Sequence, residues 1–250
     1  MSIQKNLYFL SISILWIGGC TATGQIVKSN REEYHINSSL PVDSNIIKTY
    51  LPYKTALDAE MSKVIGYTEV DLTKNSDVPE TVLGNFFADA VAHQAKKIVP
   101  NIDVVFPTTK GGIRNDIAKG SVTVSNIFEL MPFENQLVLL ELNGSDMYTV
   151  ISYIAATNGQ PVNGLKMKVV NKSPENVRIN GQPFDKNRTY RILTSDYIAN
   201  GGDEAKGFSK PISRKNIGLL VRDALMKEVM EIQANGNKIN SKLDGRITVN

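Results

Sequence analysis

Residues 102–114 read Ile-Asp-Val-Val-Phe-Pro-Thr-Thr-Lys-Gly-Gly-Ile-Arg, a stretch that joins a strand to a loop able to meet a ligand. The β-branched run at 102–106 predicts a short, buried strand. Paired glycines would let a ligand approach the backbone, and Arg114 could clamp an anion with two parallel hydrogen bonds. A Gly-Gly pair is more often only a turn, so this loop alone does not define a site.

A second loop of the same kind lies at 196–203, Asp-Tyr-Ile-Ala-Asn-Gly-Gly-Asp. It follows a predicted strand at 190–194, so both loops are expected to emerge at strand ends. Further strands are predicted at 136–142, 165–170, 177–179 and 246–249. A first helix is predicted after Asp43, whose carboxylate can cap it, and Leu57, Met61 and Val64 keep its helical spacing. Pro52 is expected to kink or start that helix. Further helices are predicted at 79–98, 145–156 and 215–233. Because helices and strands are mixed without strict βαβ alternation, we expect an α+β fold with a mixed β-sheet and packed helices.

Composition restricts the classes of partner. The 250 residues carry a formal charge of +3, with 42% hydrophobic and 21% charged residues, as is ordinary for a folded domain. The charge is too small, and too evenly spread, to indicate nucleic acid or an acidic membrane surface as a partner. Cys20 is the sole cysteine, so no intrachain disulfide can form.

The first residues resemble an export signal of the lipoprotein type. Lys5 precedes an apolar run that ends in Gly18-Gly19-Cys20 and is too short to span a bilayer. We expect a signal peptide at 1–19, a lipid on Cys20, a polar tether at 20–42 and one domain at 43–250. The chain would then be anchored to a bacterial membrane in the cell envelope, facing the periplasm. The alternative is an ordinary signal peptide with an incidental cysteine.

Four motifs occur in an order that is similar to one known family. Residues 80–90 fit the helix motif E-x-x-x-G-N-x-x-x-D-A, and Gly-Gly-Ile-Arg follows at 111–114. Pro-Phe-Glu-Asn stands at 132–135, and the Tyr-to-Asp loop at 197–203 completes the set. Together they resemble the C-terminal, substrate-binding domain of 5'-nucleotidases and UDP-sugar hydrolases, over about residues 44–250.

The resemblance implies roles for particular residues. Phe133 and Tyr197 match the two aromatic residues that sandwich the nucleobase, and stacking of this kind contributes about 1–3 kcal/mol per base. Asp203 matches the carboxylate that takes the ribose hydroxyls, and Arg114 matches an arginine that reaches phosphate. Asn135 matches a residue that contacts base or sugar in some members. The alternative for Phe133 is simple core packing.

Two positions depart from the family pattern. Thr109 stands where the family commonly has asparagine, and Pro79 stands where it often has a second phosphate-contacting arginine. We therefore expect weaker phosphate binding, or a less charged ligand.

Full-length members of that family cleave phosphate in a separate N-terminal domain that holds two metal ions. A dimetal site needs several converging carboxylates and imidazoles. The chain has two histidines, His35 and His93, and neither stands in a metal-binding motif. We predict no catalytic residues, no metal site and no cofactor in this chain, and expect divalent metals on a partner phosphatase.

Three functions follow as hypotheses. The first is a lipid-anchored nucleotide- or nucleoside-binding domain that works with a separate metallophosphoesterase chain as a split 5'-nucleotidase in nucleotide catabolism. The second is a nucleoside or nucleotide receptor without chemistry. The third is a degenerate domain kept for protein interaction, which the residues at Thr109 and Pro79 would favour.

Overall fold

The computed structural model describes residues 30–249. The predicted signal peptide and the lipid site at Cys20 lie outside the described residues. The described residues fall into two units, divided between residues 49 and 50. In the first unit, residues 30–43 form no helix or strand. The Asp43 carboxylate accepts a hydrogen bond from the backbone N–H of Asn45 at 2.8 Å and caps the following helix, as predicted. Over the described range, no helix is long and apolar enough to cross a bilayer.

The helices and strands are as follows. The helices are α1 (Ser44–Met61), α2 (Val82–Lys96), α3 (Val124–Leu130), α4 (Gly144–Ala156), α5 (Asp196–Ala199) and α6 (Val221–Ala234). The strands are β1 (Val64–Thr68), β2 (Val104–Phe106), β3 (Gly120–Thr123), β4 (Gln136–Asn143), β5 (Leu165–Val170), β6 (Ser173–Ile179), β7 (Gln182–Pro183), β8 (Thr189–Ser195), β9 (Ser213–Leu220) and β10 (Ile247–Val249).

A four-stranded mixed sheet in the order β2-β8-β4-β9 forms the centre of the fold. Strand β2 runs parallel to β8, whereas β4 is antiparallel to both of its neighbours. Both faces are buried: Leu139 and Leu193 join a core with helices α2 and α6, while Val138 and Ile192 join a second core with α4. Burial on both faces explains why β4 is an almost continuous apolar run.

A second sheet, ordered β10-β5-β6-β7, and the two-stranded pair β1-β3 complete the architecture. The strands and helices are mixed without a repeating βαβ unit, and the predicted α+β class is confirmed. Strands β1 and β3 and helix α3 were not predicted. The helical spacing extended through Val64 was wrong, because Val64 pairs with Thr123 at the start of β1.

The predicted helix at 215–233 was wrong in its first third. Residues 213–220 are strand β9, whose side chains at Ile217 and Leu219 are buried in alternation. The strand pairs with β4 through an irregularity between Gln136 and Val138. Gly218 has a φ of +72°, in the left-handed region that favours glycine. Its backbone N–H donates to the side-chain oxygen of Asn216 at 2.8 Å. The sequence looked helical because Ile217, Leu220 and Val221 stand at i, i+3 and i+4, the spacing of a helix face.

Candidate ligand-binding pocket

The central sheet brings the two predicted loops to the same edge. Phe106 pairs with Thr194 in the parallel β2–β8 ladder, so the chain leaves both strands side by side. Leu137 pairs with Ser195 in the antiparallel β4–β8 ladder, which places the segment before β4 at that edge as well. Three segments that are distant in sequence therefore converge.

They enclose a pocket of about 490 Å³. Its lining comprises Thr108, Thr109, Gly111, Gly112, Arg114, Phe133, Asn135, Tyr153, Gln160, Tyr197 and Asp203. All six residues that the sequence singled out for ligand binding are in this set. The volume falls in the range of small-molecule sites, about 300–1,000 Å³.

Asp203 lies at the centre of a hydrogen-bond network in the pocket wall. The Thr109 hydroxyl donates to one carboxylate oxygen, and the Tyr197 hydroxyl donates to the other at 2.9 Å. The Tyr153 hydroxyl donates to the Asp203 backbone carbonyl at 2.8 Å. Asp203 has a φ of +52°, which is uncommon for a residue other than glycine, and these three contacts hold it there. Each carboxylate oxygen can still accept a further bond from a ligand hydroxyl.

The Tyr197 ring rests on the backbone of Gly202. A methyl group at Gly202 would lie 2.4 Å from a ring carbon, so glycine is what allows the close approach. The ring is 48% exposed. The hydrogen bond to Asp203, together with the negative charge of that carboxylate, raises the pKa of the Tyr197 hydroxyl, which therefore stays protonated as a donor at neutral pH.

Phe133 and Arg114 also line the pocket. Phe133 is 39% exposed, so it is not a core residue. The Arg114 guanidinium carbon lies 5.8 Å from the centre of the Phe133 ring, within cation–π range, and one guanidinium nitrogen donates to the Gly111 carbonyl at 3.1 Å. Arg114 is exposed and lines the pocket, so its guanidinium can meet an anionic group.

Five lining residues were not predicted as ligand contacts: Thr108, Gly111, Gly112, Tyr153 and Gln160. Thr108 and the two glycines lie within or beside the recognised Gly-Gly loop. Tyr153 and Gln160 lie on α4 and in the turn after it, which carry no motif. The Gln160 side chain accepts the Lys110 backbone N–H at 2.8 Å, so it links that turn to the loop.

Lys110, although adjacent to the pocket, does not line it. Its ammonium donates to the backbone carbonyls of Ser76, Val78 and Asn158, the last at 2.8 Å. Burial lowers the pKa of Lys110 to about 8. Arg114 is therefore the cation among the described lining residues. Lys110 instead connects the backbone at residues 76–78 to the backbone at Asn158.

The helix motif at 80–90 holds the C-terminal segment rather than a ligand. Arg246 pairs with both oxygens of Asp89 at 2.8 and 2.9 Å, and also with Asp244. Glu80 accepts the Asn85 amide at 2.6 Å and the Asp244 backbone N–H at 2.8 Å. Burial lowers the pKa of Arg246, but the bonds to the two aspartates outweigh it and leave the pKa above its ordinary value.

One group in the described range has the composition of a metal site. His93 on α2 and Glu228 and Glu231 on α6 place ligand atoms within 4.8 Å of one another. Gln94 donates to both carboxylates, at 2.7 and 2.6 Å, and the Lys97 ammonium pairs with Glu231. A metal would have to displace these donors, so the geometry is that of an interhelical ion-pair network. It contributes no residue to the pocket.

Comparison with known proteins yields consistent relatives. The profile of the 5'-nucleotidase C-terminal domain matches residues 64–210. The trifunctional nucleotide phosphoesterase protein YfkN of Bacillus subtilis is 26% identical over 78% of this chain and 14% of that protein. Protein UshA of Yersinia enterocolitica is 26% identical over 79% of this chain and 36% of that protein. A 5'-nucleotidase precursor from Thermus thermophilus is 25% identical, with a TM-score of 0.69 over 84% of this chain and 44% of that chain.

The fold and pocket define an α+β domain with a lined cleft at one edge of its central sheet. More specifically, the chain belongs to the 5'-nucleotidase C-terminal domain family, and the resemblance drawn from four motifs is confirmed. It spans less than half the length of these relatives. Family membership is consistent with nucleotide binding.

Proposed function

We propose that this chain is the substrate-holding subunit of a split bacterial 5'-nucleotidase. It binds a nucleotide or nucleoside, and a separate metallophosphoesterase chain supplies the divalent metals that break the phosphate ester. The observation that carries the proposal is the convergence of two half-exposed rings, an oriented carboxylate and an exposed arginine in one pocket.

Each wall of the pocket suits one part of such a ligand. A base stacks between Phe133 and Tyr197, since aromatic faces accept any base. The ribose hydroxyls donate to Asp203, whose oxygens are held in place by Thr109 and Tyr197. Arg114 at the mouth meets a phosphate, and Asn135 adds an amide that can both donate and accept.

The location of the chain belongs to the same proposal. We infer that a lipid on Cys20 tethers it to an envelope membrane, with the domain facing the periplasm. Mass spectrometry of the membrane-extracted chain tests this: a diacylglyceryl-modified N-terminal Cys20 is the expected product. A mature chain that begins elsewhere, or one released without detergent, would contradict the anchor.

The enzymatic proposal is tested by mixing. The purified chain is added to a candidate metallophosphoesterase with Mn²⁺ or Mg²⁺, and phosphate release from AMP is measured. We expect kcat/KM to rise above that of the phosphatase alone, and Tyr197→Ala to abolish the gain. Equal rates with and without this chain would rule out the split enzyme.

A second candidate, a receptor that binds nucleoside without chemistry, is favoured by the single cationic side chain in the described lining. One arginine, with Lys110 engaged behind the wall, suits an uncharged or monoanionic ligand. Calorimetry with adenosine, AMP and ADP separates the two. Binding of adenosine at least as tight as that of AMP, together with no activation of any phosphatase, would favour the receptor.

A further inference from the structure

Arg222, on the first turn of α6, is a buried cation that none of the roles above uses. It is 7% exposed, and its Nε is a buried nitrogen without a hydrogen-bond partner within residues 30–249. Burying a charge is unfavourable unless it is paired, and an unpartnered buried donor requires an explanation. Its nearest carboxylate, Glu134, is 3.5 Å away with a side chain that is 81% exposed, so the pair is weak.

The contacts of Arg222 are concentrated on the segment that carries Phe133. One guanidinium nitrogen donates to the Phe133 carbonyl at 3.4 Å, and the guanidinium lies 4.2 Å from the centre of the Phe128 ring. The neighbouring Val221 N–H donates to the Asn135 carbonyl at 2.9 Å. The start of α6 therefore holds the backbone on both sides of Glu134.

The sheet explains why α6 begins at this place. Gln136 pairs with Leu220 at the ends of β4 and β9, so the helix starts directly beside the segment that precedes β4. We propose that Arg222 is a positioning residue that fixes the orientation of the Phe133 ring and thereby the affinity for the base. This rests on the proposed function, because the affinity in question is that of the pocket for a nucleoside.

The first test needs no ligand. Hydrogen–deuterium exchange is measured on the full chain and on Arg222→Met, which keeps the apolar stem. We expect faster exchange in residues 131–136 and at Val221, with the rest of the central sheet unchanged. Arg178→Met is the matched control, because Arg178 also donates to one backbone carbonyl, that of Gly181 at 3.0 Å, in a hairpin outside the pocket. Unchanged exchange in 131–136, or a uniform rise throughout, would overturn the assignment.

The second test is a double-mutant cycle on adenosine affinity, measured by calorimetry. Arg222→Met should weaken binding in the wild-type background by a smaller factor than Phe133→Ala does, because it loosens the ring without removing it. It should have no effect when Phe133→Ala is already present, because Arg222 acts through that ring. Equal losses in both backgrounds would contradict the idea. If the wild-type chain binds neither adenosine nor AMP, the proposed function fails, while the exchange experiment still decides the role of Arg222.

Discussion

Removing the Phe133 ring tests the stacking geometry most directly. Phe133 is 39% exposed, and the Arg114 guanidinium carbon lies 5.8 Å from the centre of its ring. Phe133→Ala should therefore leave the fold intact, lowering the free energy of unfolding by about 1–2 kcal/mol for the partly buried apolar area. The loss of one stacking face should cost about 1–3 kcal/mol of binding free energy, which raises the Kd for adenosine about 5- to 150-fold.

The assay is isothermal titration calorimetry with adenosine, with denaturant unfolding monitored in parallel. Phe133→Leu keeps the apolar bulk without a π face and should lose most of the same affinity. Phe184→Leu is the control for loss of an aromatic ring elsewhere, since Phe184 stacks on Tyr190 at 5.3 Å outside the pocket. It should bind adenosine like the wild type. An unchanged Kd in Phe133→Ala, with the fold intact, would refute the stacking role.

Three further substitutions test the hydrogen-bond network around Asp203 and the ion pair between Arg246 and Asp244. Tyr197→Phe keeps the ring but removes a donor to Asp203, so adenosine affinity should fall less than in Tyr197→Ala; equal losses would show that the hydroxyl, not the ring, matters. Thr109→Val removes the other donor and should lower the free energy of unfolding by about 1 kcal/mol, measured by urea titration; no change there would indicate that water replaces the hydroxyl without loss. The hydrogen bond from Arg246 lowers the pKa of Asp244 in the folded state, so its contribution is complete above the ordinary value of 3.8 and is lost as the pH falls below it. Asp244→Asn should remove that part of the acid dependence of stability, and parallel acid-unfolding curves for the two proteins would contradict this.

The sequence predicted the pocket better than it predicted the elements. The residues predicted to bind a ligand lie at strand ends in recognisable loops, and the parallel pairing of β2 with β8 then brings those loops together. The loops and the strands before them can be recognised from the local sequence, whereas the pairing of β2 with β8 is seen only in the structure. The contribution of Tyr153 is different, because it depends on where α4 packs against the sheet, and nothing in its own neighbourhood marks it.

The errors in secondary structure also have physical causes. Strand β9 was assigned to a helix because Ile217, Leu220 and Val221 stand at helical spacing, and a hydrophobic pattern cannot show the irregular pairing with β4. The first turn assigned to Pro79 and Glu80 is absent, since Thr81 caps α2 by accepting the Gly84 N–H at 2.9 Å. Glu80 is instead used in a contact 164 residues away in the sequence, with Asp244, which local propensity cannot reveal.

The ion pairs of Arg246 join segments that are far apart in the sequence. Its partner Asp89 lies 157 residues earlier, and β10 must align in parallel with β5 before the second sheet is complete. Contacts of such long range are slow to form, because the chain loses loop-closure entropy before the contact is made. The second sheet therefore cannot close until residues 247–249 have been synthesised and have paired with β5.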